Sequence, residues 1–455
     1  MLTSKGSNNM TQWLRSTCAL FLLATVVHAE PIKIGDRLEL FLDNHLIDTI
    51  QGDVKQTLIR PEPKEVVLVA DAPWEGNTSG YYTVFRDGDL YRMIYRGWQH
   101  DEKKKAVHRE VTCYAESKDG IRWTKPELGL FSWDGSKKNN IVWLGAGTHN
   151  FTAFRDDRPG VSKEAKYKAL GRGRGGLLAF QSPDCKKWKL IQSKPVITRG
   201  AFDSQNLAFW DTHKKEYRAY WRIFTKGVRA IRTATSKDFI HWNNEKDLTY
   251  TKGTPNEHLY THAVQKYFRA PHLYIGFSTR YLQREGPRVA TELMSSRDGG
   301  RLHRNRKELV PESAPKDRKG NRSNYMTWGM FQLPDKPNEI SVYATENYSE
   351  KTPGRVRRFV YRVDGFVALR GGSKGGTVTT KPLQFEGQKL ILNFVGRDVM
   401  VEALDASDKV IAKSKPFKGD AIAYEVKFEP KTRLPQGIRL RFTLKNADLF
   451  SMRFK

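Results

Sequence analysis

The chain has 455 residues, carries 78 Lys and Arg against 50 Asp and Glu for a net charge of +28, and is 38% hydrophobic. Its length exceeds one simple domain of roughly 100–150 residues, although all-β barrels and propellers run longer as single units. An aromatic share of 11% supplies enough large apolar surface to exclude wholesale disorder, and three cysteines are too few for a disulfide scaffold or a four-cysteine zinc site.

Residues 1–29 read as an export signal. A polar lead with Lys5 and Arg15 precedes the apolar run from Cys18 to Val27, and Val27-His28-Ala29 is a small-x-small cleavage site. The run is about ten residues where a membrane-spanning helix needs about 20. The expectation is therefore a secreted or periplasmic protein with no stable membrane insertion after cleavage. In a cytosolic chain this positive charge would suggest nucleic acid. In an exported one it fits an acidic surface or a sulfated or uronate-bearing polysaccharide, with plain solubility as the alternative. Cleavage leaves Cys113 and Cys185, either joined as a disulfide or present as two buried thiols.

A motif then repeats. Ser-x-Asp-x-x-x-Trp occurs at Ser117-Lys-Asp119-Gly-Ile-Arg-Trp123, Ser182-Pro-Asp184-Cys-Lys-Lys-Trp188 and Ser236-Lys-Asp238-Phe-Ile-His-Trp242. A fourth copy, Ser296-Arg-Asp298-Gly-Gly-Arg-Leu302, lacks the Trp; successive copies lie 65, 54 and 60 residues apart. That period suits a four-stranded blade with generous loops. Strand-like stretches precede each copy: Asp89–Tyr95, Tyr167–Leu170, Glu216–Trp221 and His272–Phe277. The motif is expected to be structural, its Ser and Asp capping a hairpin while the Trp packs between neighbouring blades. A fifth unit without it starts near Tyr325 and includes Glu339–Tyr343 and Arg357–Arg362.

From about Gly365 the texture changes to short strands at Thr377–Thr380, Lys389–Asn393, Val399–Leu404, Ile422–Phe428, Ile438–Phe442 and Leu449–Phe454, a pattern expected of a β-sandwich. The predicted fold is all-β, a five-bladed β-propeller over 30–366 with an N-terminal lead-in strand, followed by a β-sandwich accessory domain over 367–455.

The carrying segments are Leu40-Phe-Leu-Asp43-Asn-His-Leu-Ile-Asp48, Phe202-Asp203-Ser-Gln-Asn206, Leu259-Tyr260-Thr261 with Tyr267-Phe-Arg269-Ala-Pro271, and Arg362-Val-Asp-Gly365. On these, over nearly the whole mature chain, the sequence resembles the five-bladed-propeller glycoside hydrolases of families 32 and 43, and more closely the secreted glycosyl hydrolase family 32 N-terminal domain-like proteins of the planctomycete type. The resemblance implies that fold and O-glycosyl hydrolysis. The W-M-N-D-P-N-G motif of fructan-cleaving enzymes is absent, so fructose specificity is not implied.

Such chemistry needs a proton donor and a second carboxylate, about 5–5.5 Å away as nucleophile or about 6.5–9.5 Å away as base. Radial sheets bring candidates together from the starts of different blades. Asp43 is read as base or nucleophile, or as a turn cap with Asn44; Glu75 opens the first blade, with a loop carboxylate as its alternative. Asp203 opens the third and is expected to orient substrate and tune the acid. Glu257, opening the fourth, and Glu346, between Tyr343 and Tyr348, are rival proton donors. For binding, His149, Asn150, Trp98, Tyr260, Arg269 and Arg280 have the chemistry for sugar hydroxyls, ring stacking or an anionic substituent, with blade packing as the alternative.

Gly171-Arg-Gly-Arg-Gly-Gly176 satisfies a dinucleotide-loop string but runs into the strand-like Leu177–Phe180, and is read as a hairpin turn. The basic stretches Asp101–Lys105 and Lys316–Arg322 are solvated loops or a polyanion groove. The 11 His show no ligand spacing, so no transition metal or cofactor is predicted, while a structural calcium in the channel stays compatible with the pattern. The expected partner is a carbohydrate rather than nucleic acid, and nothing in the sequence sets the oligomeric state. Three functions are carried: a polysaccharide-active glycoside hydrolase, a catalytically silent propeller binding acidic glycans, and a sialidase-like or lyase enzyme.

Overall fold

The structure is a computed structural model describing residues 30–284, 288–310 and 325–455; the expected signal segment and the basic stretch Lys316–Arg322 lie outside these residues. The described chain is all-β, with one short 3-10 turn at Lys163–Ala165.

The repeat region is a series of antiparallel four-stranded units. The first comprises Gly80–Asp87, Leu90–Gly97, Val111–Ser117 and Ile141–Trp143, and the second His149–Arg155, Tyr167–Gly173, Gly176–Ser182 and Lys189–Leu190. The third is Leu207–Asp211, Glu216–Thr225, Val228–Ser236 and Trp242–Asp247. In the fourth, His258–Thr261 and Gln265–Tyr267 both pair with Ala270–Leu282, followed by Arg288–Ser296 and Arg301–Asn305. The fifth has Met326–Phe331, Glu339–Glu346 and Arg355–Arg362, and its outer strand, Glu62–Val69, comes from the N-terminal part of the chain. The first strands of the first three units touch in order, His258–Thr261 of the fourth meets Val228–Ser236 of the third, Gln265–Tyr267 meets Met326–Phe331 of the fifth, and the last returns to the first where Trp328 pairs with Thr83. Such a circuit leaves few exposed edges.

All four Ser-x-Asp turns form the same bonds. Ser117 Oγ accepts from the N–H groups of Asp119 and Gly120, and Asp119 Oδ1 accepts from Ile121 and Arg122. Equivalent bonds occur at Ser182 with Asp184, Ser236 with Asp238, and Ser296 with Asp298, the copy lacking Trp. The residue after each Asp is left-handed: Gly120, Cys185, Phe239 and Gly299 have φ of 72°, 67°, 71° and 74°. Hydroxyl and carboxylate capping therefore defines the turn. The expected packing of Trp between units is seen for Trp123, 6.3 Å from Tyr343 of the fifth unit, whereas Trp188 lies edge-on to Phe151 of its own sheet at 5.1 Å.

A second repeat joins the units. Asp87, Asp156 and Asp211 stand at or just past the ends of the first three units' first strands. They accept hydrogen bonds from Tyr167, Tyr217 and Tyr274 on the second strand of the following unit, and each also holds a lysine.

The glycine-rich string is a hairpin, with Gly173 paired to Gly176 and Gly175 at φ +82°. A Cβ on Gly171 would fall 2.0 Å from the Gly147 carbonyl oxygen, so that glycine permits close approach of backbone rather than of a phosphate. Cys113 and Cys185 are free and buried, and burial pushes both thiols up.

The chain after residue 366 contributes six strands to an eight-stranded sheet built on Val367–Thr380, Leu390–Leu404 and Arg439–Phe454. Along its last strand Leu440, Phe442 and Leu444 are fully buried while Arg439, Arg441 and Thr443 face outward, the period-two alternation of a half-buried sheet. The N-terminal strands belong here. Ile47–Leu58 pairs with Val367–Thr380, Glu39–Leu40 with Arg439–Phe454, and Ile32–Gly35 with Leu383–Phe385. Strand pairing thus does not follow the expected division at 366: Ile34, Phe41, Leu46 and Val54 pack in the C-terminal core.

Candidate functional site

The starts of the first strands meet at one mouth of the circuit. Tyr81, Gln205, Thr261, Tyr325 and Tyr348, from four of the units, line a narrow cavity there. Tyr325 sits between Tyr260 and Tyr348, with ring centroids 5.4 and 5.2 Å away. Three non-glycine residues at this end, Tyr81, Asn150 and Ala263, have φ of 55°, 52° and 41°. Left-handed backbone costs such residues about 1–3 kcal/mol each and concentrates at functional sites.

Arg96 organises one side. Its side chain is 3% exposed and donates to Asn150 Oδ1 at 2.9 Å, the Thr78 carbonyl at 2.7 Å and the Tyr348 hydroxyl at 2.7 Å. It stands over the rings of Tyr81 and Trp98 at 4.7 and 5.0 Å, and 3.6 Å from Glu110 Oε1. Glu110 in turn lies 2.8 Å from His149 Nδ1. Burial pushes the Glu110 carboxyl up, but the hydrogen bond to His149 and the charge of Arg96 outweigh it and hold the group below the usual carboxylate range. Trp98, Glu110, His149 and Arg172 border an adjoining groove.

Asp203 stands on the other side. Its side chain is 53% exposed and paired with the buried Arg222. Desolvation raises its pKa, and the Arg222 hydrogen bond and charge lower it further than that. Arg222 lies 5.7 Å over Tyr260, and Ser204 donates to the Tyr260 carbonyl at 2.6 Å, so the third and fourth units meet here.

Of the residues expected from sequence, Asp203, His149, Asn150, Trp98 and Tyr260 gather at this mouth. The other four acids do not join Asp203. Glu75 is sealed inside, its carboxylate 2.5 Å from the Tyr95 hydroxyl and 2.6 Å from Lys125 Nζ. Glu346 is fully buried against Arg355 and Arg357 at 2.8 and 2.7 Å; the Tyr343 hydroxyl, expected beside it, donates to the Gly120 carbonyl instead. Glu257 is gripped by Arg306, Arg304 and Arg280 at 2.5, 2.8 and 3.0 Å. Against a burial effect that raises it, those arginines pull Glu257 from an ordinary 4.5 to about 2, the reverse of what a proton donor requires.

Asp43 lies at the wrong end. It accepts from the His45 N–H and stands 3.7 Å from Arg297, beside Ser296. Along Ala270–Leu282, Ser296 pairs with Tyr274 while His258 of the first strand pairs with Tyr281. Seven residues of strand, roughly 23 Å, separate those ends. Among the binding candidates, Arg280 is taken by Glu257, and Arg269 binds Asp364, which also accepts from Ser451 of the C-terminal sheet.

Sequence reasoning missed Arg96, Glu110, Arg222, Tyr81, Tyr325 and Tyr348. Only Gly80-Tyr81-Tyr82 at a strand start gave a signal, since the others are recognised by partners far along the chain. Among the described residues no group of three or more His, Cys, Asp or Glu is placed to hold a metal ion.

No protein-family model matches the chain, and no curated protein matches it. Solved structures are similar in chain path. A glycoside hydrolase family 43 arabinoxylan arabinofuranohydrolase from Bacillus subtilis has 12% identity over 85% of this chain and 97% of its own, with TM-score 0.44. The β-1,2-mannobiose phosphorylase from Listeria innocua has 11% identity over 67% and 96%, with TM-score 0.47. An exo-β-1,3-galactanase from Phanerochaete chrysosporium has 11% identity over 85% and 99%, with TM-score 0.40. At these values neither substrate nor residue roles pass to this chain.

Proposed function

We propose that the four-stranded units are the blades of a five-bladed β-propeller, with the C-terminal sheet closing into an accessory β-sandwich. In this reading the protein is an exported glycoside hydrolase whose site is the tyrosine-lined mouth. The observation that carries it is Asp203, an ionised and half-exposed carboxylate fixed by Arg222 where strained first strands converge. The export reading rests on the leader pattern of residues 1–29, and the excess of positive charge favours an acidic polysaccharide or oligosaccharide.

Asp203 serves as the ionised carboxylate, acting on the anomeric carbon or on a water. Glu110 is held ionised as well, and His149, whose Nδ1 lies 2.8 Å from it, is assigned as the group that passes a proton to the leaving oxygen. A second reading, a propeller that binds acidic glycans without cleaving them, is favoured by one observation. Asp203, Glu110 and Glu257 are all held below the ordinary carboxylate range, which leaves none of these three protonated at neutral pH.

Reducing-end release from a panel of neutral, uronate-bearing and sulfated polysaccharides separates the two. Release by the wild type that His149→Ala and Asp203→Asn each abolish supports hydrolysis. Binding without release supports the second reading, and neither binding nor release rejects both.

A further inference from the structure

The strand that supplies Arg222 continues past the mouth. In the hairpin of Glu216–Thr225 with Val228–Ser236, Arg222 and Phe224 lie two residues apart on one face, and Phe224 pairs directly across from Arg229. Phe224 is 61% exposed, and both guanidinium groups stand over it, Arg222 at 5.6 Å and Arg229 at 5.7 Å from the ring centroid. Arg229 also lies 5.6 Å from the Tyr260 ring and 5.2 Å from the Tyr281 ring of the next unit.

Among the described residues the charge of Arg229 is not answered. Arg96, Arg222, Arg280 and Arg304 each have a carboxylate within ion-pair distance. Among the described residues Arg229 has none, and its polar side-chain neighbour is His258 Nδ1 at 3.4 Å. Its Nε is buried and has no hydrogen-bond partner. A guanidinium walled by three aromatic rings, with no carboxylate beside it, is an expensive arrangement unless an anion completes it. An exposed ring beside it offers the apolar face on which a sugar stacks.

From this geometry we propose that Phe224 and Arg229 form a subsite for an anionic sugar unit, next to Asp203. The sugar ring lies on Phe224, and its carboxylate or sulfate group binds Arg229. The inference rests on reading the mouth as a glycan site, and it fixes where and through which residues an acidic polymer is selected.

The test is affinity electrophoresis and calorimetry of the full chain with three probes at about 0.15 M salt: polygalacturonate for the carboxylate, dextran sulfate for the sulfate, and neutral dextran. The wild type should bind at least one acidic polymer and prefer it to dextran. Arg229→Gln should weaken that binding roughly ten-fold or more, as expected for loss of a charge-assisted contact, with partial rescue by Arg229→Lys. Phe224→Ala, at an exposed hairpin tip, should also weaken it. Arg433→Gln, which removes the same charge from an exposed position on the C-terminal sheet unit, should leave binding unchanged.

Wild-type affinity in Arg229→Gln, an equal loss in Arg433→Gln, or no binding of either acidic polymer overturns the proposal. The arms also separate it from the hydrolytic reading. Arg229-dependent binding without product release removes hydrolysis and keeps the subsite, while release that Asp203→Asn abolishes but Arg229→Gln leaves unaltered does the opposite.

Discussion

Arg96 donates a hydrogen bond to the hydroxyl of Tyr348 at 2.7 Å, joining the second strand of the first unit to the loop that follows Glu339–Glu346 in the fifth. The same guanidinium bonds Asn150 of the second unit, so one side chain fastens three units around the mouth.

Arg96→Met should therefore destabilise the protein strongly. It leaves the Thr78 carbonyl and Asn150 Oδ1 without their donor and Glu110 without its nearby cation, a loss of about 2–4 kcal/mol. Tyr348→Phe removes a single partner and should cost about 1 kcal/mol. Urea titrations read both as lower midpoints at unchanged slope.

The pattern of the fold was legible because turn chemistry is local. Ser296 and Asp298 form their turn without a Trp, and sequence spacing found them. The contacts that assemble the turns into a ring are not local. Asp156 meets Tyr217 61 residues later, and Arg96 meets Tyr348 252 residues later, so neither pairing leaves a mark in any short window. The acids were misplaced for a related reason. Glu75 and Glu257 do precede first strands, whereas Glu346 ends the strand Glu339–Glu346, and all three side chains are taken up by lysine or arginine partners. Asp43 was wrongly expected at the mouth because Glu39–Leu40 and Ile47–Leu58, on either side of it, pair with the C-terminal strands rather than with the repeats.

The Asp–Tyr contacts between units should carry measurable stability. Tyr217→Phe removes the bond to Asp156 and should cost about 1 kcal/mol. Asp156→Ala also strands Lys168, whose side chain is almost wholly buried, and should cost about 3 kcal/mol or more. A double-mutant cycle on this pair should show coupling rather than additivity.

Acid should unfold the protein through particular carboxylates. Burial opposes the charge of Glu39 and Glu257, yet His272 with Arg297, and Arg306 with Arg280, hold them at about 2 against an ordinary 4.5. Groups depressed in this way bind fewer protons folded than unfolded between those two values. Their stabilisation is complete above about pH 4.5 and is lost as the pH falls toward 2. Urea midpoints should fall across that window, and Glu257→Gln should flatten the fall while lowering stability at neutral pH.

Both thiols should be silent in the native protein. Cys113 and Cys185 are buried and unpaired, and burial disfavours their thiolates. Ellman's reagent should detect essentially no thiol in the folded protein expressed without residues 1–29 and two after denaturation without reductant. A disulfide would give none in either state.

The most direct test of the account is reducing-end release by Asp203→Asn, measured on the acidic polysaccharide that the wild type is expected to cleave. The substitution keeps the shape and removes the charge that Arg222 fixes at the mouth. The account predicts a loss of roughly 100-fold or more in release, with binding of the same polymer retained. Release at the wild-type rate would contradict it.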